Sequence, residues 1–428
     1  MKSGGSFIAR QLVRCLIALT VLGAAASAHA EGVDLISADT LSVSGDFRLV
    51  GVSGEESWTS GGFGKLRSGS NGDWRLRPEP GNFKLVWQPS FGWALSATVV
   101  GAVQGGERTE AGLSQAYLSY KPLISDRFRV SARAGLFWPP VSLEHEGADW
   151  HVRDTITPSA INSWIGEEVR PAAIEATATA KAGNHEVTAV AALFAANDTA
   201  GTLLTFRGWA LHDRETLDFN RQPLPPMTAA FVGYQPEFTH PLMDIREGFA
   251  DRPGYYVKLG WQPPLPVRVE LFHYDNRGDP EAFNEHNEWG WRTKFDNAGA
   301  VADLGAGAEL RLQAMKGRTL MGYDEGQGIW VNCRFRSAFA LISKPIGKTH
   351  LAARIETFAT RQHGSLISEE SEEEGWAATL AARRELTDHL SGVIELLHVS
   401  SRREQREEAG LDERQRQTQI QAALRVRW

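Results

Sequence analysis

The sequence predicts an all-β fold: a transmembrane antiparallel β-barrel of about sixteen strands, with short periplasmic turns and long extracellular loops. Three observations predict it. The stretch from Gln417 to Trp428 alternates residue by residue between an apolar and a polar face. Similar alternation recurs along the whole chain, broken by connections that are in turn short and long. The chain opens on an export signal and has no later uninterrupted apolar run of about 18 residues, the length that marks a helical span.

In the C-terminal stretch Thr418, Ile420, Ala422, Leu424, Val426 and Trp428 make one face, and Gln417, Gln419, Gln421, Ala423, Arg425 and Arg427 the other. Period two with one apolar and one wet face is a half-buried strand. Arginines on the wet face and an aromatic at the end suit a barrel wall with lipid outside and water inside. The last strand of a soluble sandwich, with its arginines in bulk solvent, is the competing reading.

At the other end Lys2, Arg10 and Arg14 form a cationic region, Leu16 to Ala26 a short apolar one, and Ala28-His29-Ala30 a small-x-small cleavage pattern before Glu31. Residues 1–30 are therefore read as a signal peptide, and 31–428 as one barrel domain bound for a Gram-negative outer membrane. Beyond the signal only Cys333 remains, which excludes an intramolecular disulfide. A net charge of −7 without a basic cluster argues against nucleic acid as a partner.

Between the ends, Phe47-Leu49-Gly51 opposes Arg48 and Val50, Phe128-Val130-Ala132 opposes Arg129, Ser131 and Arg133, and Leu351-Ala353-Ile355 opposes Arg354 and Glu356. Val331-Cys333-Phe335 opposes Asn332, Arg334 and Arg336 in the same way. Sixteen such segments are expected, among them 82–89, 288–296, 304–316 and 329–344. Short turns fall at Gly183-Asn184, at Asn297 to Asp303 and at Thr387-Asp388; long connections fall at 52–81, 138–171 and 197–253. An even strand number with every second connection short is the pattern of a barrel with turns at one rim and loops at the other. A sandwich has no reason to alternate so.

A barrel of this size holds an aqueous channel. The polar face then lines the pore with Arg129, Arg133, Arg268, Arg311, Arg334, Arg336, Arg354, Arg425 and Arg427, against fewer glutamates, and arginine rings favour anions. Loop 138–171 is expected to fold into the barrel, with Thr157 as a helix N-cap and Pro158 as the first helical residue. Its Glu144, Glu146, Asp149, Glu167 and Glu168 would face the arginine wall across a constriction. Loop 197–253 is the longest and carries Trp209, Phe219, Phe231, Phe238 and Phe249. So aromatic a loop is usually functional: it covers the mouth, plugs the lumen, meets a neighbouring subunit, or hides two strands that raise the count to eighteen.

Chemistry is not expected. Glu144, His145, Glu146, Asp149 and His151 have metal-ligand residue types, but no ligand spacing recurs, so no metal or cofactor is predicted. No G-x-S-x-G pattern occurs, and the serines near His389 and His398 lack a catalytic spacing, so the chain is not read as an enzyme.

The segment Arg133-Ala134-Gly135-Leu136-Phe137-Trp138-Pro139-Pro140-Val141-Ser142-Leu143-Glu144 resembles the G-x-F-x-P-x-x-x-E strand of the phosphate-selective porins of the porin O and P type, through Gly135, Phe137, Pro139 and Glu144, with Glu144 one position late. Trp428 resembles the terminal aromatic read by the barrel-assembly machinery. The resemblance implies a sixteen-stranded, trimeric diffusion channel set in outer-membrane lipid. The family's phosphate site is a lysine cluster, whereas this wall is rich in arginine. The expected function is a porin passing small hydrophilic solutes by ion transport through a water-filled channel, with a lean toward anions. The alternative is a lumen-plugged structural or adhesion barrel, and third an outer-membrane enzyme.

Overall fold

A residue pattern of period two can close only by pairing every strand edge, and the chain does so. The computed structural model describes Ser37 and residues 39–218, 220–245 and 252–428; the expected signal peptide, Phe219 and Phe249 lie outside the described residues. Sixteen antiparallel strands form one closed barrel. They are β1 (Leu41–Ser53), β2 (Arg75–Trp87), β3 (Leu95–Gln104), β4 (Glu110–Tyr120), β5 (Phe128–Leu136), β6 (Ala172–Ala182), β7 (His185–Ala195) and β8 (Gly254–Gln262). The second half comprises β9 (Val267–Asp275), β10 (Arg292–Gly305), β11 (Ala308–Asp324), β12 (Ile329–Ile346), β13 (Thr349–Gln362), β14 (Glu373–Thr387), β15 (Leu390–Arg402) and β16 (Arg414–Arg427). Each strand pairs with its chain neighbours, and β1 closes on β16 with Phe47 opposite Leu424 and Gly51 opposite Ile420. Beyond β16, Trp428 exchanges backbone hydrogen bonds with Val43 at 2.8 Å and stacks on His389, with ring centroids 4.4 Å apart.

The split of β16 is the expected one: Gln415, Gln417, Gln419 and Gln421 point inward and are buried, while Ile420, Leu424 and Val426 face out. Phe47, Leu85, Ile174, Leu193, Leu259, Leu271, Ile355, Leu380 and Ile394 continue an exposed apolar belt around the outer wall. Such a belt on an edgeless barrel is the outer surface of a membrane-spanning wall. Among the described residues no helix is long and apolar enough to cross a membrane.

Two boundaries differ from expectation. The turn expected at Asn297 to Asp303 is strand, with Asn297 opposite Met315 and Val301 opposite Arg311; the chain turns instead at Ala306-Gly307, both at positive φ. Small residues in that stretch serve packing. A Cβ on Gly299 would sit 3.0 Å from Leu143 Cδ1, a loop residue pressed against the inner wall. The strand pair that the longest loop could have hidden is only a two-residue ladder, Gln222–Pro223 with Phe238–Thr239, outside the barrel sheet. The count stays at sixteen.

The hydrophobic core sits inside the barrel. Phe272, Phe295, Phe335 and Phe358 from the wall meet Trp164, Trp209, Leu204 and Leu66 from loops in one buried cluster. Three long loops (54–74, 137–171 and 196–253) supply its centre.

Candidate functional site: the filled lumen

The loop between β5 and β6 turns inward at Phe137-Trp138. Gly135, just before it, has φ of 140°, and a Cβ there would lie 2.2 Å from Ala116 O on β4, so the position requires glycine. The wall then holds the loop by its backbone. Lys258 donates to Pro140 O at 2.8 Å, Gln313 to Val141 O at 3.1 Å and Arg425 to Thr155 O at 2.9 Å. The Glu395 carboxylate accepts from Ile156 N (2.6 Å) and Thr157 N (3.0 Å), and Glu356 accepts from Ala160 N (2.6 Å).

Those bonds move the helix start. The helix α1 spans Ala160–Glu168, and its N-cap is Ser159, whose hydroxyl accepts from Asn162 N at 3.4 Å. Thr157 was the expected cap. Arg354 instead takes the carbonyls of Thr157 (2.9 Å) and Pro158 (3.0 Å), which keeps that stretch extended until Ser159. All nine residues of α1 are buried. A helix inside a barrel can be buried on every side only if the lumen around it is filled.

The filling comes from the other two loops. In the longest, a short helix α2 (Thr202–Phe206) precedes an extended stretch in which Trp209, Leu211, His212, Arg214 and Thr216 are buried. Leu211 N donates to Lys65 O (2.8 Å) and Thr216 N to Gly166 O (2.8 Å), so this stretch lies between the first loop and α1. Asp213 is clamped between Arg48 of β1 (2.5 Å) and Arg67 of the first loop (2.8 Å). Glu215 is paired with Lys84 of β2, and Lys65 with Glu373 of β14.

The loop carboxylates divide three ways. Glu144 meets the wall as expected, 2.8 Å from Arg354, and also accepts from Ser159 N (2.9 Å) and Asn162 (2.6 Å). Asp149 takes Arg427 (3.2 Å), Ser44 (2.9 Å) and His151 (2.9 Å) low in the barrel. Glu146 stays at the surface with Arg153 of its own loop (3.1 Å). Glu167 and Glu168 do not face the wall, because α1 turns them toward the longest loop. Glu167 binds Arg207 at 2.6 Å and the His212 ring at 3.1 Å; burial opposes its ionisation, yet the Arg207 guanidinium and those hydrogen bonds hold it down to about 2. Glu168 has no cation. It accepts from Trp164 Nε1 (2.6 Å), Gly201 N (3.0 Å) and Leu203 N (2.9 Å), and burial pushes its carboxyl up to about 7 against those bonds.

The predicted arginine lining is partly corrected. Arg129, Arg133, Arg268, Arg311, Arg354, Arg425 and Arg427 are on the inner face. Most are not free: Arg133 is on Glu175 (2.7 Å), Arg311 on Asp154 (2.8 Å), Arg354 between Glu144 and Glu356, and Arg129 on Glu186 (3.3 Å). Arg334 and Arg336 are on the outer wall. On β12 the buried side chains are Val331, Cys333, Phe335, Ser337 and Phe339, and the exposed ones are Arg334 and Arg336. At that height the lumen is packed with apolar loop, so the apolar face of β12 points in.

Sequence reasoning missed the first loop as a lumen element, and with it Lys65, Arg67, Arg207, Asp213 and Glu373. The available cue was Trp58, Phe63 and Leu66 within a glycine- and serine-rich connection. Isolated large apolar residues there need a core to enter. A cavity of ≈260 Å³ is open at the short-turn rim, lined by Asp46, Arg48, Lys84, Asp149, Arg383 and Arg425 among others.

No protein-family model matches the chain, and no curated protein matches it in sequence. Solved structures do. An anion-selective porin from Comamonas acidovorans is similar at TM-score 0.51 and 10% identity, covering 91% of this chain and 99% of that one. The outer membrane channel DcaP of Acinetobacter baumannii is similar at TM-score 0.51 and 9% identity, with 92% and 99% covered. The fold is a porin barrel. At such identities the likeness concerns the fold alone.

Proposed function

We propose that this protein is an outer-membrane channel for small hydrophilic solutes whose in-folded loops close the lumen at rest. The observation that carries the reading is the complete burial of α1 within the barrel. A wide, permanently open diffusion pore, as expected from the strand number, needs a lumen free of such a helix. The closure is built largely from ion pairs: Glu144–Arg354, Arg207–Glu167, Asp213–Arg48 and Glu215–Lys84. Buried ion pairs give little net stability over apolar packing of equal volume, because each charge loses its hydration. Water entering the lumen restores that hydration, so such contacts suit loops that leave and return better than a permanent seal. No covalent chemistry is required of any residue.

A lean toward anions rests on Arg268 and Arg425, which face inward and make no ion pair among the described residues. Trp428 as an assembly signal, and a homotrimeric assembly, belong to the same proposal and rest on the porin resemblance. The second reading, a sealed structural barrel, is favoured by the aromatic cluster joining Trp164 to Phe295, Phe335 and Trp209.

Single-channel recording in planar bilayers separates them. The expected record is a mostly closed channel with discrete openings, and Glu144→Gln with Glu167→Gln should make openings more frequent. Steady ohmic steps in the native protein would refute closure at rest. Silence in both proteins would favour the sealed barrel.

A further inference from the structure

The outer wall carries a feature that a channel does not need. On β10, β11, β12 and β13 the outward side chains just beyond the apolar belt are mostly cationic, with Asp296 the acidic exception. The register places Lys294 opposite Arg318, Arg318 opposite Arg334, and Arg334 opposite Arg361. One row nearer the short-turn rim, Lys316 lies between Arg336 on one side and Asp296 on the other. With neighbouring strands ~4.8 Å apart, the four-residue row spans ~14 Å. Like charges placed directly opposite each other destabilise a sheet. Nothing in the barrel relieves most of them: among the described residues Lys294, Lys316, Arg318, Arg334 and Arg336 make no ion pair, and the buried Nε of Arg318 has no hydrogen-bond partner. Arg361 is shared by Glu372 (3.4 Å) and Glu374 (3.1 Å), while Asp296 is taken by His273 at 2.7 Å. By contrast Arg402, on the outer face of β15, is fully answered by Glu404 and Glu413.

The height of the patch narrows what can cover it. From Ile346 at the short-turn rim to Arg336 is ten residues along β12. At ~3.3 Å per residue and a ~45° tilt, Arg336 stands ~23 Å above that rim, near the top of an apolar band ~25 Å tall. Below it the outward residues are Ala338, Ala340 and Ile342, followed by Lys344 and Ile346 at the rim. The cations thus stand where the hydrocarbon of the outer leaflet ends and headgroups begin, around a groove of ≈610 Å³. Unpaired cations facing lipid are tolerated at that depth and gain most from a multiply charged anion fixed at the same height. Arginine forks match phosphate oxygens two at a time.

We propose that this patch binds the phosphorylated headgroup of an outer-leaflet glycolipid, whose acyl chains lie along the apolar belt beneath. The site is on the lipid side of the wall and is independent of whether the lumen conducts. An acidic stretch of a second copy of the chain, such as Glu369 to Glu374, is the rival occupant.

The test uses the full mature protein, purified in detergent and stripped of lipid, with a bisphosphorylated lipid A as the probe and native mass spectrometry as the readout. The lipid should bind, and Lys316→Glu with Arg334→Glu and Arg336→Glu should weaken it at least tenfold. Arg402→Gln should leave it unchanged. The dephosphorylated lipid should bind at least tenfold more weakly to the native protein, and millimolar inorganic phosphate should not displace the intact one. Arg334→Gln with Arg336→Gln, a milder change checked for folding by heat-modifiable gel mobility, should give a smaller loss in the same direction. Equal binding by native and both substituted proteins overturns the proposal. Displacement by inorganic phosphate would assign the patch to the free ion. Loss of an oligomer on substitution, with lipid binding intact, would assign it to a second copy.

Discussion

Glu168 is a buried carboxyl raised to about 7, and it joins two of the lumen-filling loops. Its carboxyl accepts from Gly201 N and Leu203 N at the start of α2 and from Trp164 within α1, with no cation in reach. Burial lifts it from an ordinary 4.5 to about 7. A carboxyl raised in the closed state stabilises that state fully below its solvated value and loses the contribution as pH rises through the raised one. The window is therefore pH 4.5 to 7, with closure weaker on the alkaline side. A shift of that size is worth about 3.5 kcal/mol at ~1.4 kcal/mol per unit, or roughly 300-fold in the closed-to-open ratio if opening solvates the carboxyl. Glu167 does not blur the window, since Arg207 and His212 keep it ionised down to about 2. Open probability in planar bilayers, recorded from pH 5 to pH 8, should rise steeply in the native protein. Glu168→Gln, neutral throughout and keeping one acceptor oxygen for Trp164 Nε1 and Gly201 N, should flatten the rise. An unchanged slope in that variant, or openings that grow rarer toward pH 8, would refute the reasoning.

Three further outcomes are expected. Arg354→Met strands Glu144 and Glu356 without their shared guanidinium, which should cost about 3–5 kcal/mol, read as a lower urea midpoint of tryptophan fluorescence in the folded barrel. Arg334→Glu with Arg336→Glu should leave the reversal potential in a salt gradient where it was, because both side chains are outside the channel; a clear shift would put them back in the lumen. Gly135→Ala should destabilise the barrel by about 1–3 kcal/mol from backbone conformation alone, more where the new methyl meets Ala116 O, with heat-modifiable mobility on gels as the check.

The amino-acid order determined the wall. Alternation and the rhythm of short and long connections are local properties, and they specify sixteen strands, the two faces of β16 and the rim at which the chain turns tightly. They misplace the β10–β11 turn because a glycine required by a neighbour in space, Leu143 against Gly299, looks the same in sequence as a glycine required by a turn. The in-folding of loop 138–171 was expected from the porin resemblance carried by Gly135, Phe137, Pro139 and Glu144.

What tertiary structure alone decided is which face is which, and which charges are free. Period two sorts side chains into two sets without labelling them as inner or outer. Along β16 the lumen is polar and the set bearing arginine turns in. Along the upper half of β12 two loops fill the lumen with Trp164, Trp209 and Leu204, so Val331, Cys333 and Phe335 turn in and the arginines turn out. Ion pairing followed the same logic: Arg354 and Glu144 are 210 residues apart, and only the path of a loop through the barrel brings them to 2.8 Å. The apolar side of a strand faces whatever is apolar beside it, and in this barrel that is lipid in one place and the molecule's own loops in another.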